Sequence, residues 1–311
     1  MTGLPSGMLP GTVRFIERDW LSSNQVFLVD GDEATIVDTG YVKHAPMTVA
    51  IVGRLLEQTG TRLARIVNTH LHSDHCGGNR LLADAFGARI LVPQASLADV
   101  TRWDEQALTF AATGQRCDRF VAHGGIAPGD ALTMGGLRWR AHAAPGHDPK
   151  SLLFHCPDAR LLISADALWE QGFGVIFPEI EGESGYDEQQ AILELIASLE
   201  VDLVLPGHGP AFTDVAAALA TAFSRLKALR EDPTRQPRHG LKVLIKYLML
   251  DLERIETERF VERIRAASIP RHAARRLGMT PDQAIRDAIA QLVAQGQLAE
   301  DAGWLADTSA A

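Results

Sequence analysis

The chain has 311 residues and a formal net charge of −9, with 46% hydrophobic and 22% charged residues, which suits one large or two ordinary globular domains that bury their own core. Its three cysteines, Cys76, Cys117 and Cys156, form no CxxC pair; they argue against a disulfide framework and for a reducing compartment. The acidic balance disfavours a nucleic-acid partner, no apolar run approaches the roughly 18 residues that span a bilayer, and Met1–Asp19 has no basic stretch followed by an apolar one, so a cytoplasmic enzyme with no membrane partner is expected.

In chain order, Thr12–Ile16, Gln25–Asp30 and Ala34–Asp38 read as strands with turns at Gly31-Asp32 and Gly40. Val49, Val52, Leu55 and Leu56 predict a helix over Pro46–Gln58. Leu63–Thr69 reads as a buried strand running into a His-rich loop, Gly78–Phe86 as a helix ended by Gly87, and Arg89–Val92 as a strand. Thr101–Ala122 fits no period cleanly. Strands follow at Leu137–Ala143, Ser151–His155 and Leu161–Ser164, then a loop, Trp169–Gly185, rich in Gly, Pro and aromatics. Asp187 and Gln190 suggest a capping box for a helix reaching about Leu199, before a strand at Val201–Leu205. The β-rich, α, β-rich, α order predicts two sheets packed together with helices outside.

After Asp232 the texture changes, setting an expected boundary between a catalytic domain at 1–232 and a helical domain at 233–311. Pro233–Gly240 has a linker's composition. Leu241, Leu244, Ile245, Leu248, Met249 and Leu252 mark an amphipathic helix. Thr280-Pro281-Asp282-Gln283 is a capping box opening another helix, and Leu298–Trp304 suits a short hairpin. Arg225–Arg276 holds fourteen Lys and Arg against seven Asp and Glu, so the acidity lies elsewhere.

The strongest chemical signal is Asn68-Thr-His-Leu-His-Ser-Asp-His-Cys-Gly-Gly78, with His70, His72, Asp74 and His75 inside six residues. Imidazole and carboxylate are the usual non-sulfur ligands of zinc. A strand entering a loop can aim His70 and His72 the same way while Asp74 and His75 turn to a second point. Gly77 and Gly78 are expected to let the backbone turn tightly, and Cys76 reads as a small buried residue behind the site.

This block resembles the HxHxDH motif of the metallo-β-lactamase superfamily, and later segments extend the resemblance over about residues 10–230: Pro145-Gly-His147, Leu161-Leu-Ile-Ser-Ala-Asp166 and Leu205-Pro-Gly-His208-Gly. It implies an α/β fold, a four-layer αββα sandwich followed here by a C-terminal helical domain, of the glyoxalase II-like or lactonase-like branch. It further implies that His70, His72 and His147 hold one metal ion, that Asp74, His75 and His208 hold a second, and that Asp166 bridges them. Asp38 would stand behind the site and orient a ligating imidazole. Asp74 and Asp166 are the expected catalytic carboxylates.

Two divalent ions, Zn2+ by the ligand set with Fe or Mn as alternatives, can share a water and lower its pKa from 15.7 toward about 7. The expected reaction is therefore attack of a metal-bridging hydroxide on a small ester, thioester or lactone. Lys150 could bind an acidic substrate group, and Trp169, Phe173, Phe177 and Tyr186 could wall an apolar pocket. The tail resembles the winged-helix extension of some superfamily members, including an endoribonuclease branch. It could serve RNA binding, a lid over the site, or homodimerisation. RNA phosphodiester hydrolysis and iron-dependent redox chemistry are the alternative functions; the complete ligand set disfavours the second.

Overall fold

The computed structural model describes residues 8–309, so the expectation about a leader at Met1–Asp19 falls partly outside the described residues. Strands β1 (Val13–Ile16), β2 (Gln25–Asp30), β3 (Glu33–Val37), β4 (Arg62–Val67), β5 (Arg89–Pro93) and β6 (Gly124–Ile126) lie side by side in that order in one sheet. The first three are antiparallel neighbours, and β3 to β6 run parallel. A second sheet has the order β11-β10-β9-β8-β7, built from β7 (Ala131–Met134), β8 (Leu137–Ala143), β9 (Leu152–Cys156), β10 (Leu161–Ala165) and β11 (Leu203–Pro206). Only its β10–β11 pair is parallel.

Alternation along the strands creates the layers. Val26 and Leu28 of β2 point into the space between the sheets, where they join Leu152, Phe154, Leu161, Ile163, Leu203 and Leu205 of the second sheet. Phe27 points the other way, onto α1 (Ala45–Thr59) and α3 (Asn79–Phe86). Strands β9, β10 and β11 are buried at every position, because helices cover their outer face as well; strands buried on both faces lose the polar half of the pattern. Each large apolar side chain enclosed this way contributes about 1.5–3 kcal/mol.

The short helices α2 (Ser73–Cys76), α4 (Leu97–Arg102), α5 (Phe110–Thr113) and α6 (Phe177–Glu181) sit within the connections. The expected His-rich loop thus closes one helical turn, α2. Gly77 and Gly78 adopt right-handed φ values of −62° and −85°, so the turn does not need their freedom. What needs them is space: a Cβ on Gly77 would lie 2.4 Å from the Val42 nitrogen, and one on Gly78 2.5 Å from the Thr39 carbonyl oxygen.

Helices α7 (Tyr186–Ser198) and α8 (Val215–Glu231) pack Ile192, Leu193, Ile196, Ala222 and Leu226 on the outer face of the second sheet. The expected Asp187 capping box is absent. Glu179 of α6 takes the Gly185 and Tyr186 N–H groups at 2.9 and 3.0 Å, while Asp187 pairs with Arg230 at 2.6 Å. A carboxylate from another element has replaced the local cap.

The expected linker is also corrected, since α9 (Arg235–Leu252) begins inside it. Pro237 is tolerated because the first helical turn has no carbonyl waiting for its missing N–H. Helices α10 (Thr257–Arg265), α11 (Ser268–Arg276) and α12 (Pro281–Ala294) follow, with a small sheet ordered β12-β14-β13. Its strands are β12 (Arg254–Glu256), β13 (Leu298–Asp301) and β14 (Trp304–Asp307). The Thr280–Gln283 capping box forms as expected. The apolar faces of α9 to α12 close over Val175 and Ile180, carried by the segment that follows β10. The terminal region therefore packs directly on a wall of the site. No helix among the described residues is long and apolar enough to cross a membrane.

Candidate metal centre

Five chain segments leave the sheets at one edge, and each carries side chains to the same point. Asp38 follows β3, His70 to His75 follow β4, His147 lies between β8 and β9, Asp166 follows β10 and His208 follows β11. Backbone hydrogen bonds tie these exits together. The Leu152 N–H donates to Thr69 O at 2.8 Å, Gly207 N–H to Ala165 O at 2.8 Å, Asn24 N–H to Gly207 O at 2.7 Å and Ser23 N–H to Asp74 O at 3.0 Å. Gly207 lies so close that a Cβ there would sit 2.2 Å from Asp166 Oδ1. The glycine of the Gly-His208 step is thus a space requirement for Asp166 as much as a turn.

The expected ligands converge. Donor atoms of His70, His72 and His147 lie within 4.8 Å of one another, and the same holds for Asp74, His75 and His208 and for His70, His75 and Asp166. His72 Nδ1 is 3.1 Å from His70 Nε2 and 2.7 Å from His147 Nε2. Asp166 stands between the groups, with Oδ1 3.4 Å from His75 Nε2 and Oδ2 3.3 Å from His147 Nε2. His208 Nε2 is 3.1 Å from Asp74 Oδ2.

The outer nitrogens are tied back, which leaves the inner ones aimed at the cluster. His75 Nδ1 donates to Asp38 Oδ2 at 2.8 Å, and His147 Nδ1 donates to Val175 O at 2.5 Å. His70 Nδ1 rests 3.1 Å from Thr69 Oγ1, and His72 Nε2 lies 3.5 Å from Asp148 Oδ2. His75 Nε2 is fully buried with no hydrogen-bond partner. An orphaned imidazole nitrogen facing two carboxylates has the chemistry of a metal ligand.

Electrostatics says the same. Burial, reinforced by the neighbouring imidazoles, pushes His70 well below its ordinary value, and burial pushes His72 and His147 down to about 4. These rings are therefore neutral lone-pair donors at neutral pH. Burial would also lower His75, but the charges of Asp166, Asp38 and Asp74 lift it well above the usual imidazole range. Burial would raise Asp166, yet His75 and His208 hold it well below the ordinary carboxylate range. Ionised carboxylates, deeply buried with no Lys or Arg bonded to them here, call for a cation. The donor set, all nitrogen and oxygen, fits divalent metal ions.

The substrate-binding expectations divide. Phe177 packs against His72 and His147, with ring centroids 5.5 and 5.6 Å apart, and Trp169 packs against His208 at 5.3 Å with its Nε1 donating to Asp166 Oδ1 at 3.3 Å. Phe173 is instead fully enclosed in the α7–α8 core with the Arg225 guanidinium over its ring. Tyr186 packs on that same core. Lys150 Nζ lies 2.6 Å from Asp99 Oδ2, so its charge is already matched. Three further groups stand at the site. Trp20 stacks on His208 at 5.4 Å and 5° while remaining 61% exposed. Tyr247 of α9 is buried and donates to Leu21 O at 2.9 Å; burial and then the charge of Asp74 push its hydroxyl well above the usual range. Asp148 stands behind His72. Only Asp148, adjacent to His147 in the chain, had a local signal; the other two reach the site through tertiary packing.

The Metallo-beta-lactamase superfamily model matches residues 18–208. The hydroxyacylglutathione hydrolase of Cereibacter sphaeroides is 31% identical over 191 residues, 60% of this chain and 63% of that protein. The hydroxyacylglutathione hydrolase of Brucella ovis is 28% identical over 156 residues, 50% and 52% of the respective chains. The matched region thus spans less than two thirds of those curated relatives. A metallo-beta-lactamase family protein of Thermus thermophilus superposes with a TM-score of 0.55 at 19% identity, covering 97% of this chain and 100% of that one. A B3 metallo-beta-lactamase superposes with a TM-score of 0.54 at 22% identity over 67% of this chain and 96% of its own. These superpositions show the αββα fold, and, with more than half of its length matched by the family model, the chain belongs to the metallo-beta-lactamase superfamily.

Proposed function

We propose that this chain is a hydrolase dependent on two divalent metal ions, zinc by its ligand set, and that it opens a small acyl compound, a thioester first and an ester or lactone by the same chemistry. The observation that carries the reading is the convergence of seven buried or nearly buried donor residues in one cluster, with His75 Nε2 left unpartnered and facing Asp166. The thioester is favoured by the likeness to the hydroxyacylglutathione hydrolases. In this reading His70, His72 and His147 would hold one ion and Asp74, His75 and His208 the other, with Asp166 as the carboxylate that would serve both.

When bound, the ions supply a Lewis acid for the substrate carbonyl and an acidified water. The chain's own part is to position and to stay ionised. Asp38 fixes the His75 ring and Asp148 backs His72. Asp74, held below its ordinary value by His75 and His208 against the opposing push of burial, is ionised at neutral pH and can accept a proton at its carboxylate. No covalent acyl intermediate on the protein is needed, since Cys76 is buried and turned toward Leu71 O at 3.5 Å. Trp20, Trp169 and Phe177 form an apolar rim suited to the acyl part of a substrate. The basic stretch at 225–276 is partly answered within the chain, by Lys246–Asp307, Arg265–Asp282 and Arg230–Asp187 pairs, which weakens the case for RNA.

Metal analysis of the purified protein, with a panel of acyl-thioesters, p-nitrophenyl esters, lactones and single-stranded RNA, tests this reading. We expect two divalent ions per chain, thioester turnover that a chelator removes, and loss of both turnover and full metal content in Asp166→Ala. Cleavage of RNA alone, or turnover indifferent to chelation, would overturn it.

A further inference from the structure

Behind the metal centre two thiols face each other. Cys76 Sγ and Cys117 Sγ are 3.7 Å apart. Cys76 closes α2 and is fully buried, against Leu71 O. Cys117 is partly exposed and lies on residues 115–123, which belong to no helix or strand. Its Sγ also sits 3.8 Å from Cys76 O. Cys156, the third cysteine, is buried in β9 between the two large sheets.

A disulfide needs sulfurs about 2.05 Å apart, so the pair must close by roughly 1.7 Å. The Cys76 side is fixed by the packed Gly77-Gly78 backbone and by the Thr39 N–H bonded to His75 O at 2.8 Å. The Cys117 side has no strand ladder to break. Its neighbours are tied mainly by side chains: Ser73 Oγ donates to Gln115 Oε1 at 2.6 Å, Arg116 pairs with Asp251 of α9 at 2.8 Å and its N–H donates to the Tyr41 hydroxyl at 3.4 Å, while one backbone bond, Gln115 N–H to Phe110 O at 3.2 Å, anchors the start of the segment two residues before Cys117. Side-chain ties can swivel through such a distance.

We propose that Cys76 and Cys117 are a redox-modification site that forms a reversible intramolecular disulfide, with a hydroperoxide such as hydrogen peroxide as oxidant. Cys117, the more accessible of the two, is reached first. Its sulfur attacks the peroxide O–O bond, becomes a sulfenic acid and releases one water. The Cys76 sulfur then attacks the Cys117 sulfur, the S–O bond breaks, and a second water leaves as the S–S bond forms. Two thiols have lost two electrons and two protons, and the peroxide is reduced to two waters. A small dithiol reverses the step. The bond ties α2, which carries Asp74 and His75, to the segment whose Arg116 holds α9. In a reducing compartment a disulfide of this kind is transient and redox-sensing.

The test counts thiols in the metal-loaded full chain, and so does not depend on its being a hydrolase. After treatment with a few equivalents of hydrogen peroxide and denaturation, we expect three free thiols to fall to one, and dithiothreitol to restore three. Non-reducing peptide mapping should find the Cys76 and Cys117 peptides joined, with the protein running as a monomer. Cys156→Ser should still form the link, and Cys117→Ser should not. An unchanged thiol count at a dose that oxidises free cysteine would overturn the proposal. So would Cys117 driven to sulfinic acid without linkage, a crosslink through Cys156, or a disulfide between two chains.

Discussion

Asp38 holds His75 and the neighbouring backbone at once: Oδ2 lies 2.8 Å from His75 Nδ1, while Oδ1 accepts the Thr69 N–H at 2.9 Å. It does so from a left-handed backbone, φ 59°, that a non-glycine residue rarely adopts. Removing the carboxylate in Asp38→Ala frees the imidazole to rotate and loosens the strand exit before His70. Metal affinity should fall about 10–100-fold, read by competition with a chromogenic chelator. An unchanged affinity would show that the contact is incidental.

Trp20 covers His208 with one face and leaves most of its surface to solvent. An aromatic contact is worth about 0.5–1.5 kcal/mol beyond its buried area. Trp20→Ala should therefore raise KM for an aryl-acyl thioester by about 2–10-fold with little change in kcat, and should barely affect an acetyl thioester. Equal effects on both substrates would remove Trp20 from the acyl rim.

Asp251 joins the terminal helices to the site side of the molecule. Its side chain is 1% exposed and receives Arg116 Nη2 at 2.8 Å and the Tyr41 hydroxyl at 3.1 Å. Asp251→Ala leaves that hydroxyl without its acceptor, a cost of about 1–3 kcal/mol. The urea midpoint measures it; a shift equivalent to less than about 0.5 kcal/mol, on the order of a neutral surface change, would mean the pair does not hold the two parts together.

His239 should make stability depend on pH. Burial, with the charges of Arg225 and Lys242, lowers it to about 4, against about 6.5 in the unfolded chain. The unfolded chain then binds the proton first as pH falls. Its contribution is complete above about pH 6.5 and is lost between about 6.5 and 4, up to about 3 kcal/mol. The difference in unfolding free energy between the native chain and His239→Gln should shrink over that window. A constant difference from about pH 7 to 4.5 would contradict the shift.

The sandwich was legible because its signals are local. A continuous apolar run marks β2 as a strand buried on both faces, a period of about 3.6 marks the apolar faces of α1 and α9, and the Thr280–Gln283 box is a contact between residues three apart. The elements that escaped depend on partners distant in sequence. Glu179 caps α7 in place of Asp187, and α9 starts before its apolar stripe because Gln236 and Pro237 are buried against the site's loop, with Gln236 Nε2 donating to Ile176 O at 3.1 Å.

By itself the sequence determined the types, spacing and order of the candidate donor residues, since a metal demands particular donor atoms and a strand followed by a tight turn can deliver them. Only the tertiary structure decided which side chains surround those donors: Trp20 over His208, Asp148 behind His72, Phe173 withdrawn into the core, Lys150 claimed by Asp99, and Cys117 opposite Cys76. Such neighbours are set by how whole layers pack, and packing joins residues that no period or motif connects.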